Sequence, residues 1–243
     1  MEAAHQSLRI YTALRTSLTG KSNGVLPWVT KIKSLLMFVI AVSVTPLYGQ
    51  LDIGSDVVSR YIWRGTDYGN SASIQPYISY TIGGFEAGAW SSWAITSPGP
   101  NENDLYLSWS GDLVGVTLTD YYFPVAAGAP GSDFFDYDAE NGSHTLEVTG
   151  SLGTGPFTAM AAVNFLGDPD NSVYLEGSYQ VLSEENLSAD VTVGAGNAVY
   201  VSSPEKGLNV VNMALNVVKG SYLASYVLNP EARISWLVFG IRF

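Results

Sequence analysis

Residues 233–243 read RISWLVFGIRF. Leu237, Phe239, Ile241 and Phe243 are apolar at every second position, and Gly240 and Arg242 lie between them. A period of two belongs to a β-strand, whose successive side chains point to opposite faces. One face here is uniformly apolar and the other carries a cation. What the two faces meet depends on whether the rest of the chain repeats the pattern.

The pattern recurs in about twelve segments from Gln50 onward, with no amphipathic helix among them. Asp56 to Arg64 sets Val57, Tyr61 and Trp63 against Asp56, Arg60 and Arg64. Ser73 to Ile82, Phe85 to Ile95 and Asp104 to Ser110 alternate cleanly. Leu113 to Phe123 changes parity, since Val114, Val116 and Leu118 are out of step with Tyr121 and Phe123; a bulge near Asp120 would reconcile them. Thr145 to Leu152, Phe157 to Phe165, Val173 to Val181 and Leu187 to Val193 follow. The tenth segment puts Val211, Met213, Leu215 and Val217 opposite Asn212 and Asn216, and Tyr222 to Leu228 precedes the closing strand.

The connections alternate in length. Gly83-Gly84, Gly111-Asp112, 153–156, 183–186 and Lys219-Gly220 are tight. Residues 65–72, 96–103, 124–143, 167–172, 196–207 and 229–232 make mostly longer links. An up-and-down barrel in the bacterial outer membrane has short periplasmic turns, long outer loops and an even number of strands. A soluble sandwich with Greek-key links has no reason to alternate this way. Aromatics concentrate at the segment ends, as interfacial girdles would: Tyr80, Phe85, Trp109, Phe157, Tyr179, Tyr222 and Phe243 at one, Tyr61, Trp63, Trp93 and Phe165 at the other. The expected fold is therefore all-β: a transmembrane up-and-down antiparallel barrel of about twelve strands.

Composition agrees. Charged residues are 14% of the 243, against about 25% in an average soluble domain. Ser34 to Thr45 is a twelve-residue apolar run after Lys31 and Lys33, leading to Gly49. It is shorter than the roughly 20 residues of a spanning helix and reads as the core of a signal peptide cleaved after Gly49; a buried core segment is the alternative. The expected division is residues 1–49 as N-terminal extension and signal peptide and 50–243 as barrel. Residues 50–243 keep six of the eleven bases and 21 of the 22 acids, a net charge near −15. Such a chain repels nucleic acid and suits cations. The absence of cysteine excludes a disulfide framework.

An apolar last strand ending on an aromatic resembles the closing strand of bacterial outer-membrane barrels, in which the terminal aromatic belongs to the assembly signal. Phe239, Ile241 and Phe243 are the matching residues. Over residues 55–65, SDVVSRYIWRG, the chain also resembles the first strand of the TorF family of porins, through Tyr61, Arg64 and Gly65. The resemblance implies a porin-like barrel, with outer-membrane lipid and the barrel-assembly machinery as partners, and names no solute.

Residue chemistry points to the lumen. His144, beside Ser143, has only Asn141 nearby to complete a nucleophile, base and orienting group, so an enzyme is not expected; the histidine reads as a solvated loop residue. Asp133, Asp136, Asp138 and Glu140 alternate as calcium ligands can, but Gly142 is misplaced for the familiar calcium loop, and a solvated acidic loop fits better. No cofactor motif is present. Taken as inward, the polar faces supply Arg60, Arg64, Glu86, Glu147, Glu176, Asp190 and Arg242 as candidate selectivity residues, with Arg60 and Arg64 forming a basic ladder. Gln75, Tyr77, Trp90, Tyr106, Asn164, Tyr174, Gln180, Asn212 and Asn216 share that face. Twelve tilted strands give a radius of roughly 12 Å, which side chains narrow. The expected function is passive diffusion of small cationic or neutral solutes. A structural or adhesive barrel with an acidic outer loop, or a carrier of hydrophobic compounds, is the alternative.

Overall fold

The computed structural model describes residues 49–96, 101–125, 129, 132–140, 142–202 and 207–243. The expected N-terminal extension and signal peptide, residues 1–49, lies outside them except for Gly49.

Twelve antiparallel strands close into a barrel. They are β1 (Gln50–Val58), β4 (Ser73–Ile82), β5 (Phe85–Ala94), β6 (Glu102–Ser110), β7 (Val114–Tyr122), β8 (His144–Thr154), β9 (Phe157–Leu166), β10 (Val173–Glu184), β11 (Leu187–Gly196), β12 (Asn209–Lys219), β13 (Tyr222–Asn229) and β14 (Ile234–Arg242). Two short strands, β2 (Ile62–Trp63) and β3 (Thr66–Asp67), form a separate hairpin between β1 and β4. Each barrel strand from β4 to β14 pairs with its neighbour in sequence, and β1 closes the ring on β4 and β14. The five links at one end, the turn end, have two or three residues; those at the other, the loop end, are mostly longer. Among the described residues no helix is long and apolar enough to cross a membrane.

The alternation sorts the side chains as a barrel requires. Ile53, Ile78, Leu107, Val116, Tyr179, Leu215, Leu237 and Phe239 are exposed on the outer wall, while Ser73, Gln75, Ser92, Asn164, Thr192 and Asn212 are buried in the interior. This is the reverse of a soluble protein, whose apolar residues fill the inside. Closure at β1–β14 is short. Asp56, Val57 and Val58 pair with Arg242, Ile241 and Gly240, and Phe243 adds backbone bonds to Ser55 in both directions.

Four expectations are corrected. The first strand starts at Gln50 and ends at Val58, because Ser59 donates its amide to the Phe239 carbonyl and the chain then turns inward. Tyr61 and Trp63 consequently stand inside the barrel and not in an outer girdle; Tyr61 is buried against Tyr68 and Trp90. No bulge occurs near Asp120, since β7 runs in unbroken register with β6 and β8. Tyr121 faces inward because its hydroxyl has a carboxylate there, on Glu147. Bulges lie instead in the β8–β9, β10–β11 and β11–β12 ladders. The last slips the register between Gly194 and Ala195 and turns Val211 inward, where it is buried with Ala162, Tyr174 and Tyr200.

Candidate functional site

The inward hairpin turns at Arg64-Gly65, and both residues have positive φ, +50° and +76°. A two-residue hairpin of the type that matches strand twist requires this of its central residues. Gly65 is also pressed against the barrel wall: a Cβ there would stand 1.9 Å from the Val211 carbonyl oxygen. Asn229 donates its side-chain amide to the Gly65 carbonyl at 2.9 Å, fastening the tip from β13.

Arg64 is thereby placed at the centre of the lumen. Its guanidinium pairs in bidentate fashion with Glu147 of β8, the second arm measuring 3.0 Å, and donates to the Tyr200 hydroxyl at 2.6 Å. It lies 4.2 Å over the Trp63 ring and 4.5 Å over that of Tyr174, within cation–π range. Glu147 also accepts from Tyr121 at 3.1 Å and Thr149 at 2.8 Å. The carboxylate and guanidinium are thus buried but fully engaged, the condition under which a buried ion pair is tolerated. Contacts of Trp63 with Tyr68, Tyr121 and Tyr200 extend this layer across the barrel.

The other sequence-derived candidates lie elsewhere. Arg60 is paired with Asp67 inside the hairpin and donates to Asn70, so it forms no ladder with Arg64; both left the strand when the chain turned in. Glu86 accepts from Tyr106 at 2.7 Å and Thr81 at 3.2 Å. Glu176 accepts from Tyr174 at 2.6 Å and Asn212 at 3.4 Å. Asp190 is held by Asn216 at 2.9 Å and Thr192 at 3.1 Å. Arg242 grips Asp56 through two bonds of 2.8 and 2.7 Å. Among these candidates only Arg64 and Glu147 pair directly, and Tyr174 links that layer to Glu176. A cavity of about 310 Å³ borders it, with Asp56, Gln75, Glu176, Thr192, Asn212 and Asn216 in its lining.

Sequence reasoning missed Tyr200, Tyr121 and the buried acids Glu102 and Asp104. The Arg64-Gly65 pair between Trp63 and Thr66 was the available hairpin signal.

His144 is not solvated. It is buried between the Tyr122 and Tyr137 rings, at 4.8 and 4.0 Å, and its nitrogens meet Asp120 and the Phe134 carbonyl, each at 2.7 Å. The long loop is latched to the outer wall there. Its acids cap backbone turns: Asp133, Asp136 and Asp138 accept from the amides two residues on, at 2.9–3.0 Å, and no group of three possible metal ligands occurs among the described residues. Glu140 gives its amide to the last of these.

Residues 49–206 match a family model described as a bacterial protein of unknown function, Gcw_chp. The chain belongs to the Gcw_chp family. The matched span of this Gcw_chp chain holds the inward hairpin, Glu147 and Tyr200, and stops short of β12 to β14. A solved chain from work described as "Unveiling the Mechanism Behind the in-meso Crystallization of Membrane Proteins" aligns with a TM-score of 0.45 at 10% identity, covering 79% of this chain and 82% of that one. No curated protein matches.

Proposed function

We propose that this Gcw_chp protein is an outer-membrane diffusion channel for small cationic or neutral solutes, with a lumen narrowed by its own β2–β3 hairpin. The observation that carries this reading is the inversion of polarity: an apolar outer wall around a lumen of charges, amides and hydroxyls. In lipid every backbone polar group must be satisfied within the protein, and a closed barrel does this. Short turns at one end and long loops at the other are the pattern of outer-membrane barrels. The expected signal peptide and terminal aromatic fit export and insertion, and the likeness of residues 55–65 to TorF-family porins points the same way.

The hairpin supplies the control element. In this conformation the Arg64–Glu147 layer stands in the lumen and narrows it, so a shift of the hairpin would widen the passage. The test is single-channel recording of the refolded protein in a planar bilayer. Wild type should show small, fluctuating conductance, and Arg64→Ala should raise it. No conductance from either would overturn the reading.

A carrier of hydrophobic compounds is the second reading. It is favoured by an apolar groove along the β1–β14 closure, walled by Val57, Ala72, Ala224, Phe239 and Ile241. Val58, Leu223 and Ala224 line both this groove and the luminal cavity. Uptake of an apolar dye without ion conductance would favour the carrier.

A further inference from the structure

The long loop between β7 and β8 meets the barrel wall at His144, the first residue of β8, whose side chain is wholly buried. Its Nδ1 lies 2.7 Å from Asp120 Oδ1 on β7, and its Nε2 lies 2.7 Å from the Phe134 carbonyl oxygen on the loop. The other oxygen of the same carboxylate accepts from the Tyr137 hydroxyl at 2.7 Å. The Tyr122 and Tyr137 rings stack against the imidazole at 4.8 and 4.0 Å, and Phe134 meets it edge-on at 5.2 Å. A carbonyl and a carboxylate can only accept, and a neutral imidazole has one N–H where the imidazolium has two. With the ring neutral, one of the two contacts would set lone pair against lone pair in a site closed to water. Every contact therefore matches the charged ring: two acceptors, one of them an anion, and aromatic faces that attract cations.

The neighbouring acids are otherwise engaged. Asp133, Asp136 and Asp138 on the loop accept backbone amides. Gly167 packs on the His144 carbonyl from the β9–β10 link, and Asp168 beside it is held by Asn164, Ser172 and the Asp170 amide. Among the described residues Asp120 is thus the carboxylate that the ring bonds. The bond to Asp120 also pushes the Tyr137 hydroxyl up to about 12, so Tyr137 keeps its proton through neutrality.

We propose that His144 is a proton-operated latch: doubly protonated, it ties the acidic loop to the barrel wall, and loss of one ring proton releases the loop. The latch holds at acid pH and opens as pH rises through the range in which imidazole changes charge. The released segment carries Asp133, Asp136, Asp138 and Glu140, so opening sets mobile negative charge at the loop end. Latching concerns the loop and the wall, and it can be read in micelles whether or not the lumen conducts.

The test pairs two measurements on the refolded full-length protein from about pH 5 to about pH 9. A spin label on Glu140→Cys, an exposed position in a chain without cysteine, reports loop mobility. Nitrogen-15-labelled histidine reports the protons on the ring nitrogens, and His144→Gln assigns the signal of His144. The label should be ordered at the acid end and several-fold more mobile at the alkaline end, with a midpoint that coincides with loss of one ring proton. Asp120→Asn should move both transitions to lower pH, because the charged partner is gone. His144→Gln, checked for folding by heat-dependent gel mobility, should show one mobility at every pH; if it does not fold, the wild-type and Asp120→Asn transitions decide. A loop that stays ordered across the range, a ring with one proton throughout, or a transition retained in folded His144→Gln would each overturn the proposal.

Discussion

Arg64 holds a backbone conformation that costs a residue with a side chain about 1–3 kcal/mol. Its surroundings offset that strain: a bidentate carboxylate, a phenol and two aromatic faces. Removing either partner strands a buried charge, which typically costs about 3–5 kcal/mol. Arg64→Met should therefore lower unfolding stability in urea by about that amount, and the Arg64→Met/Glu147→Leu double variant should recover much of it, because no charge is then left unmatched. A double-variant loss equal to the sum of the single losses would mean that the two side chains act independently. Gly65→Ala attacks the same point from the backbone. With positive φ and the Val211 carbonyl 1.9 Å from the new Cβ, the hairpin tip cannot keep its seat. Bilayer recordings of Gly65→Ala should show raised conductance with both charged partners still present.

At the scale of elements, the closing strand and the loop latches are the points of weakness. Phe243 exposes its ring but ties Ser55 through both backbone groups, and beyond it the seam holds three ladder pairs and the Ser59–Phe239 bonds. Deleting Phe243 should reduce the heat-modifiable, membrane-inserted fraction far more than Phe243→Leu, which keeps the backbone bonds; equal yields from deletion and wild type would remove its role. On the link between β9 and β10, burial pushes the Asp168 carboxyl up. Hydrogen bonds from Ser172, Asn164 and the Asp170 amide outweigh this and hold it below its ordinary value of 3.8. A carboxylate lowered on folding stabilises the fold above its unfolded value, and that contribution disappears as pH falls through the lowered one. Asp168→Asn should flatten the acid branch of the melting temperature below about pH 4 and leave its neutral branch parallel to wild type.

Much of this level was legible. Ser73 to Ile82 was bounded to the residue, and the parity of β4, β5, β6 and β9 followed from a period that holds wherever a strand separates two media. Residues 59–64 were misread because Tyr61-Ile62-Trp63-Arg64 keeps the same period while lying inside the barrel; alternation records two faces but not what each one meets. Val211 was misplaced for a different reason. A bulge inserts one residue without altering the local pattern, and only the pairing with Gly194 and Ala195 reveals it. Glu147 was recognised as inward and Arg64 as a lumen residue, but their pairing joins positions 83 apart through a hairpin that periodicity cannot predict.

For the whole molecule, the selectivity of the proposed channel would follow from the balance of luminal charge. Each inward base is already matched: Arg60 by Asp67, Arg64 by Glu147 and Arg242 by Asp56. Glu86, Glu176 and Asp190 are satisfied by hydroxyls and amides, which leave their charge in place. Outside these matched pairs the named luminal charges are all acidic, and an acidic passage through a low-dielectric wall concentrates cations. The zero-current potential across a tenfold KCl gradient should show cation preference in the most open conducting form, the Gly65→Ala channel. Adding Glu176→Gln and Asp190→Asn should reduce that preference, because each removes an unmatched charge. Glu147→Gln should reduce it by another route, by freeing the charge of Arg64. Preference should fade in 1 M salt, where the screening length is about 3 Å. Anion preference in the Gly65→Ala channel would refute the charge assignment, since Glu86, Glu176 and Asp190 would then not set the sign of the passage.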